Sequence, residues 1–83
     1  MVEKSTYFDL GNGSRAWQPC HLGKDLKIGE EVNIGALSHI GNKVKIGNDS
    51  RIQGSVYIAN QTIIGKSCFL GPGTVITNDK YPP

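Results

Sequence analysis

Residues 26–47 read LKIGEEVNIGALSHIGNKVKIG, and this run decides the fold. Ile28, Ile34, Ile40 and Ile46 stand six apart, and glycine follows each of them. Two residues before each stands Leu26, Val32, Ser38 or Val44. The register continues in both directions without a slip, back through Leu22, Ala16 and Leu10 and forward through Ile52, Ile58, Ile64, Leu70 and Ile76. Glycine follows eight of these twelve positions, and the residue two before each is mostly small or β-branched. Linked positions recurring together at a short fixed period mark an internal repeat, and short strict repeats build solenoids.

Period six is a multiple of two and not of 3.6, so it belongs to strands. In an extended segment residues i and i−2 face one side and i−1 faces the other. Ile28 and Leu26 are expected inside with Lys27 in water, and Ile46 and Val44 inside around Lys45. Pairs such as Lys24-Asp25, Glu30-Glu31, Asn42-Lys43, Asn48-Asp49, Asn60-Gln61 and Pro72-Gly73 supply corners between the short strands. The glycine after each inward residue is expected to free the backbone for the corner. A helix is excluded, because no window carries apolar residues at i, i+3, i+4 and i+7 and glycine recurs too often.

Composition narrows the function. Eighty-three residues make one small domain. A net charge of +2, with basic residues scattered, excludes a nucleic-acid partner as an expectation. No apolar stretch follows the charged start at Met1–Lys4, so neither signal peptide nor membrane span is expected, and the compartment is read as cytoplasmic. Cys20 and Cys68 both occupy the small inward position and are read as core residues rather than a disulfide or metal site.

The repeat (L/I/V)-G-x-x-(S/T/A/V)-x resembles that of hexapeptide-repeat acyltransferases, which form left-handed parallel β-helices. The resemblance implies an all-β fold with three hexads per 18-residue triangular coil. About four coils are then expected over residues 10–81, after a lead-in over residues 1–9. The hand comes from the resemblance alone, since parallel crossovers are ordinarily right-handed. An 18-residue coil sets the inward columns Leu10/Ile28/Ile46/Ile64, Ala16/Ile34/Ile52/Leu70 and Leu22/Ile40/Ile58/Ile76. The outward columns become Asp9/Lys27/Lys45/Ile63, Arg15/Asn33/Arg51/Phe69 and His21/His39/Tyr57/Val75. Each ends apolar, which favours self-association at that level. His21 and His39 should lie one strand spacing apart, as a metal pair, an acid/base site or two exposed imidazoles. Zinc carbonic anhydrases of the hexapeptide type use three His, and this chain has two. Gly71-Pro72-Gly73 is read as a corner rather than a phosphate loop.

Further stretches resemble one group within that family. Gly13 to Leu22, Lys45 to Gln53, Phe69-Leu70-Gly71-Pro72 and Thr77-Asn78-Asp79-Lys80-Tyr81-Pro82 are similar to segments of N-acetyltransferases acting on nucleotide-linked 3-amino sugars. The resemblance implies acetyl transfer from acetyl-CoA to a sugar amine, in the making of cell-surface polysaccharide. It implies Asn78 as the residue holding the amine, with Gln53, Asn78 and Tyr81 binding substrate, and a homotrimer; with two His in the chain, no metal is expected. Members of that group carry Asn-Asn where this chain has Gly54-Ser55. They also continue beyond the T-N-D-K-x-P segment with further coils and a cap, so the resemblance implies C-terminal truncation. A non-catalytic β-helix serving as scaffold or oligomerisation module is the competing reading.

Overall fold

The structure, a computed structural model, describes residues 6–77. Twelve strands follow in chain order: β1 (Tyr7–Gly11), β2 (Ser14–Trp17), β3 (His21–Leu22), β4 (Lys27–Ile28), β5 (Asn33–Ile34), β6 (His39–Ile40), β7 (Lys45–Ile46), β8 (Arg51–Ile52), β9 (Tyr57–Ile58), β10 (Ile63–Ile64), β11 (Phe69–Leu70) and β12 (Val75–Ile76). From β2 onward every pairing joins residues 18 apart in parallel, such as Lys27 with Lys45 and Ile46 with Ile64. Three faces result, β2-β5-β8-β11, β3-β6-β9-β12 and β4-β7-β10. The eleven hexad strands therefore wind just under four triangular coils.

The inward columns form the core. Ile34, Ile40, Ile46, Ile52 and Ile58 are fully buried, with Val32, Val44 and Val56 beside them. Removing such side chains from water contributes about 2 kcal/mol each. Three inward positions carry serine instead of valine, and each hydroxyl is used twice. Ser50 Oγ donates to the Gly65 carbonyl at 2.7 Å and accepts the Cys68 N–H at 3.2 Å. Ser14 and Ser38 make the same pair of bonds to the coil above. A buried hydroxyl costs little once it is satisfied in this way.

Two details differ from the sequence expectation. The first concerns the corners. From Gly23 onward the left-handed backbone falls not on the glycines that follow the inward residues but two positions later, at Asp25, Glu31, Leu37, Lys43, Asp49, Ser55, Gln61 and Ser67, with φ between 53° and 65°. The glycines serve close approach instead. A Cβ on Gly47 would stand 2.7 Å from the carbonyl carbon of Gly65, and one on Gly35 would stand 2.5 Å from the amide nitrogen of Gly54. At Gly23, Gly29 and Gly41 the space is taken by an asparagine carbonyl oxygen from the coil above. Those oxygens accept the N–H groups of Lys24, Glu30 and Asn42, each at 2.8 Å.

The second difference is at the start. Leu10 and Asp9 do not begin the columns over Ile28 and Lys27. They lie in β1, which pairs antiparallel with β2, Phe8 opposite Ala16 and Asp9 opposite Arg15. Asn12 and Gly13 form the two-residue turn, with φ of 51° and 79°. Asn-Gly is the favoured dipeptide for such a hairpin, and here that local signal overrides the sixfold register. Tyr7 and Trp17 then meet across the pair, ring centroids 5.0 Å apart.

Candidate functional site

Function on this fold must come from the outward columns and corners, since the inward positions are consumed by the core. Of the residues expected to bind substrate, Asn78 and Tyr81 lie outside the described residues. Gln53 occupies the corner position that glycine fills in most hexads, directly after Ile52 of β8. Its backbone is fixed on both sides: the N–H donates to the Leu70 carbonyl at 3.0 Å and the carbonyl accepts the Ser38 hydroxyl at 3.1 Å. Its side-chain amide makes no hydrogen bond among the described residues. By the 18-residue register its neighbours above and below are Gly71 and Gly35, so the half-buried side chain has room at that corner.

His21 and His39 lie one coil apart, as their spacing requires. Their rings stack at 4.6 Å with planes 8° apart, and Tyr57 continues the stack at 4.8 Å and 7°. Among the described residues no three His, Cys, Asp or Glu side chains gather as a metal site. The apolar level above is also present: Ile63, Phe69 and Val75 are 72%, 65% and 63% exposed, one on each face. Leu37, at a left-handed corner, is 67% exposed. Cys20 and Cys68 are free thiols facing the core, and burial raises the Cys20 pKa.

One concavity was not anticipated. A cleft of about 450 Å³ runs along the edge of the β2-β5-β8 face, lined by Gly13, Arg15, Glu31, Val32, Asn33, Asp49 and Arg51. Its basic side belongs to the outward column Arg15/Asn33/Arg51. Its acidic side belongs to the corner column Gly13/Glu31/Asp49. Reading the corner residues at the same 18-residue stride as the strands would have shown this second column.

The sixfold register and the 18-residue coil agree with a known family. The profile of bacterial transferase hexapeptide proteins (six repeats) matches residues 25–60 and, overlapping, 43–78. The chain belongs to this family, and its coil is the family's left-handed parallel β-helix. Among solved structures it is similar to serine acetyltransferase isoform 3 from Entamoeba histolytica, solved in complex with cysteine. The two share 20% identity and superpose with a TM-score of 0.68 over 86% of this chain. The chain spans 29% of that enzyme's length. No curated protein matches the sequence significantly.

Proposed function

We propose that the chain is an acyl-CoA-dependent acyltransferase, acting on the amine of a nucleotide-linked amino sugar in cell-surface polysaccharide synthesis. The observation that carries the reading is the hexapeptide transferase signature over residues 25–78. The T-N-D-K-Y-P segment at 77–82 and Gln53 support the narrower acceptor. In this reading Gln53, Asn78 and Tyr81 bind the sugar, and Asn78 holds its amine. The neutral amine attacks the acetyl-CoA thioester carbonyl; the C–N bond forms, the C–S bond breaks, and the amine proton leaves with the CoA thiol. A thioester is already activated, so alignment of the reactants and donors around the developing oxyanion supply most of the rate. A homotrimer, with Ile63, Phe69 and Val75 withdrawn from water by association, completes the proposal.

The test follows thiol release from acetyl-CoA against a panel of nucleotide-linked 3-amino sugars. Turnover requiring the amine is expected, with Asn78→Ala and Gln53→Ala each lowering kcat/KM by about ten- to a hundredfold, which is about 1.4–2.7 kcal/mol of transition-state stabilisation. No thiol release at high protein concentration refutes the reading. The exposed apolar level favours one alternative, a non-catalytic oligomerisation module. That alternative requires a stable oligomer by light scattering with no acetyl-CoA binding by calorimetry.

A further inference from the structure

The cleft beside β2, β5 and β8 carries opposite charges on opposite sides, and they are not spent on each other. Arg15, Asn33 and Arg51 occupy the outward position of three successive coils, stacked through the pairs Arg15 with Asn33 and Asn33 with Arg51. Successive coils are about 4.8 Å apart, so the column offers donors along roughly 10 Å. Every member offers N–H groups. The Asn33 Oδ1 is already taken by the Trp17 indole N–H at 3.2 Å, leaving its Nδ2 group as the free end. The Arg15 guanidinium is held over the Tyr7 ring, 4.8 Å from its centroid, which restricts a side chain that would otherwise sweep freely. Guanidinium forks match the oxygens of a phosphate.

The acidic side is built from the corner. Glu31 and Asp49 both have left-handed backbone, with φ of 55° and 61°. The Glu31 carboxylate lies over Gly13, its carboxyl carbon only 2.8 Å from where a Cβ would stand. The glycine therefore lets this carboxylate settle into the cleft. No ion pair links Glu31 or Asp49 to Arg15 or Arg51 among the described residues. An anion alone would meet the carboxylates, and a cation alone would meet the arginines. A molecule carrying both charges satisfies both sides, and the cleft's 450 Å³ suits a ligand of sugar-phosphate size.

We propose that this cleft binds a small phosphorylated amine, its phosphate on Arg15, Asn33 and Arg51 and its ammonium on Glu31 and Asp49. The amphoteric character comes from the cleft alone; the choice of an amino-sugar phosphate rests on the acceptor class proposed above. Arg51 also places this site near Gln53, two residues on at the corner that follows β8, within about 7 Å.

The experiment is titration calorimetry at low salt with three probes: glucosamine 6-phosphate, glucose 6-phosphate and glucosamine. Glucosamine 6-phosphate is expected to bind at least tenfold more tightly than either of the others. Arg51→Gln should weaken both phosphates at least tenfold. Glu31→Gln should leave glucose 6-phosphate unchanged or tighter and erase the advantage of the amine. In amide NMR spectra of the unmodified protein, shifts on adding glucosamine 6-phosphate should centre on residues 31–33 and 49–51, which tests the location without any substitution. Equal affinity for the three probes, no binding at millimolar concentration, or shifts centred elsewhere overturns the proposal. Acyl transfer without this preference removes the cleft and leaves the enzyme. The preference without acyl transfer leaves the cleft and removes the enzyme.

Discussion

Alanine at Gly47, Gly29 and Gly65 should give three different outcomes, although all three glycines hold the same place in the hexad. None has a positive φ, so backbone conformation does not distinguish them. Their surroundings do. A Cβ at Gly47 would lie 2.7 Å from both the Gly65 carbonyl carbon and the Lys66 nitrogen, and backbone in a stacked coil cannot step aside alone. Overpacking of this kind costs about 1–3 kcal/mol, and Gly47→Ala belongs at the upper end. In a chain of this size 2–3 kcal/mol lowers the melting temperature by roughly 10–20 °C. At Gly29 the first atom met is the movable side-chain oxygen of Asn48, with the Asn48 amide nitrogen at 2.9 Å. Gly29→Ala should displace that side chain and cost about 1–2 kcal/mol, including the bond to the Glu30 N–H. Among the described residues, the nearest atom to a Cβ on Gly65 is the Cys68 sulfur at 3.8 Å, an ordinary contact. Gly65→Ala should be neutral or should stabilise by about 0.4–1 kcal/mol, through loss of freedom in the unfolded chain. Urea denaturation followed by circular dichroism reads all three on one scale. Equal losses at Gly47 and Gly65 would refute the argument from close approach and restore the corner conformation as the reason for glycine.

Other substitutions test other parts of the structure. Ser50→Ala removes the acceptor of the Cys68 N–H and the donor to the Gly65 carbonyl; a loss of about 2–3 kcal/mol is expected by urea melt, and a loss under 0.5 kcal/mol would show the hydroxyl to be dispensable. Leu37→Asn relieves a branched side chain held at a φ of 65° and withdraws an exposed apolar group. It should raise stability by about 1 kcal/mol by thermal melt, and a fall would assign Leu37 a packing partner. The Cys20 thiol, its pKa raised by burial, should alkylate more slowly at pH 8 in the folded protein than in urea. Equal rates by mass spectrometry would place that sulfur in solvent.

Legibility in this chain followed periodicity. The residues from Ile28 to Ile76 lie where the sixfold register puts them, because one inward isoleucine or leucine per strand leaves the alternation no second solution. The outward pairing of His21 with His39 came from the same stride. What escaped the register had local or vertical causes. Asn12-Gly13 is a hairpin signal two residues long, and a regular repeat on both sides masked it. The glycine role escaped because its cause is a backbone 18 residues away, whereas sequence neighbours suggested a corner. The acidic side of the cleft escaped because corner residues look interchangeable until Gly13, Glu31 and Asp49 are stacked. Asn78 and Tyr81 remain expectations of a resemblance, lying outside the described residues.

The same division explains how a fold can persist while its chemistry changes. Each coil spends its constrained positions on the coils above and below: isoleucine fills the interior, serine bridges buried backbone groups, glycine admits the next corner, and asparagine caps it. The outward position of each strand carries no such debt, and the third corner residue owes only its left-handed backbone, which Glu31 and Asp49 share with Lys43 and Gln61; polar exchanges at Lys27, Glu31, Asp49 and Arg51 should therefore leave the stack intact. A ligand site on this scaffold must therefore be written in those free columns at multiples of 18 residues. The Arg15/Asn33/Arg51 column beside Glu31 and Asp49 has that form. So does the His21/His39/Tyr57 stack. Exchanging Arg51 and Glu31 should alter binding while leaving the melting temperature within about 2 °C, because exposed charges contribute little to stability. A large loss of stability in either variant would place those side chains in the architecture and dissolve the separation.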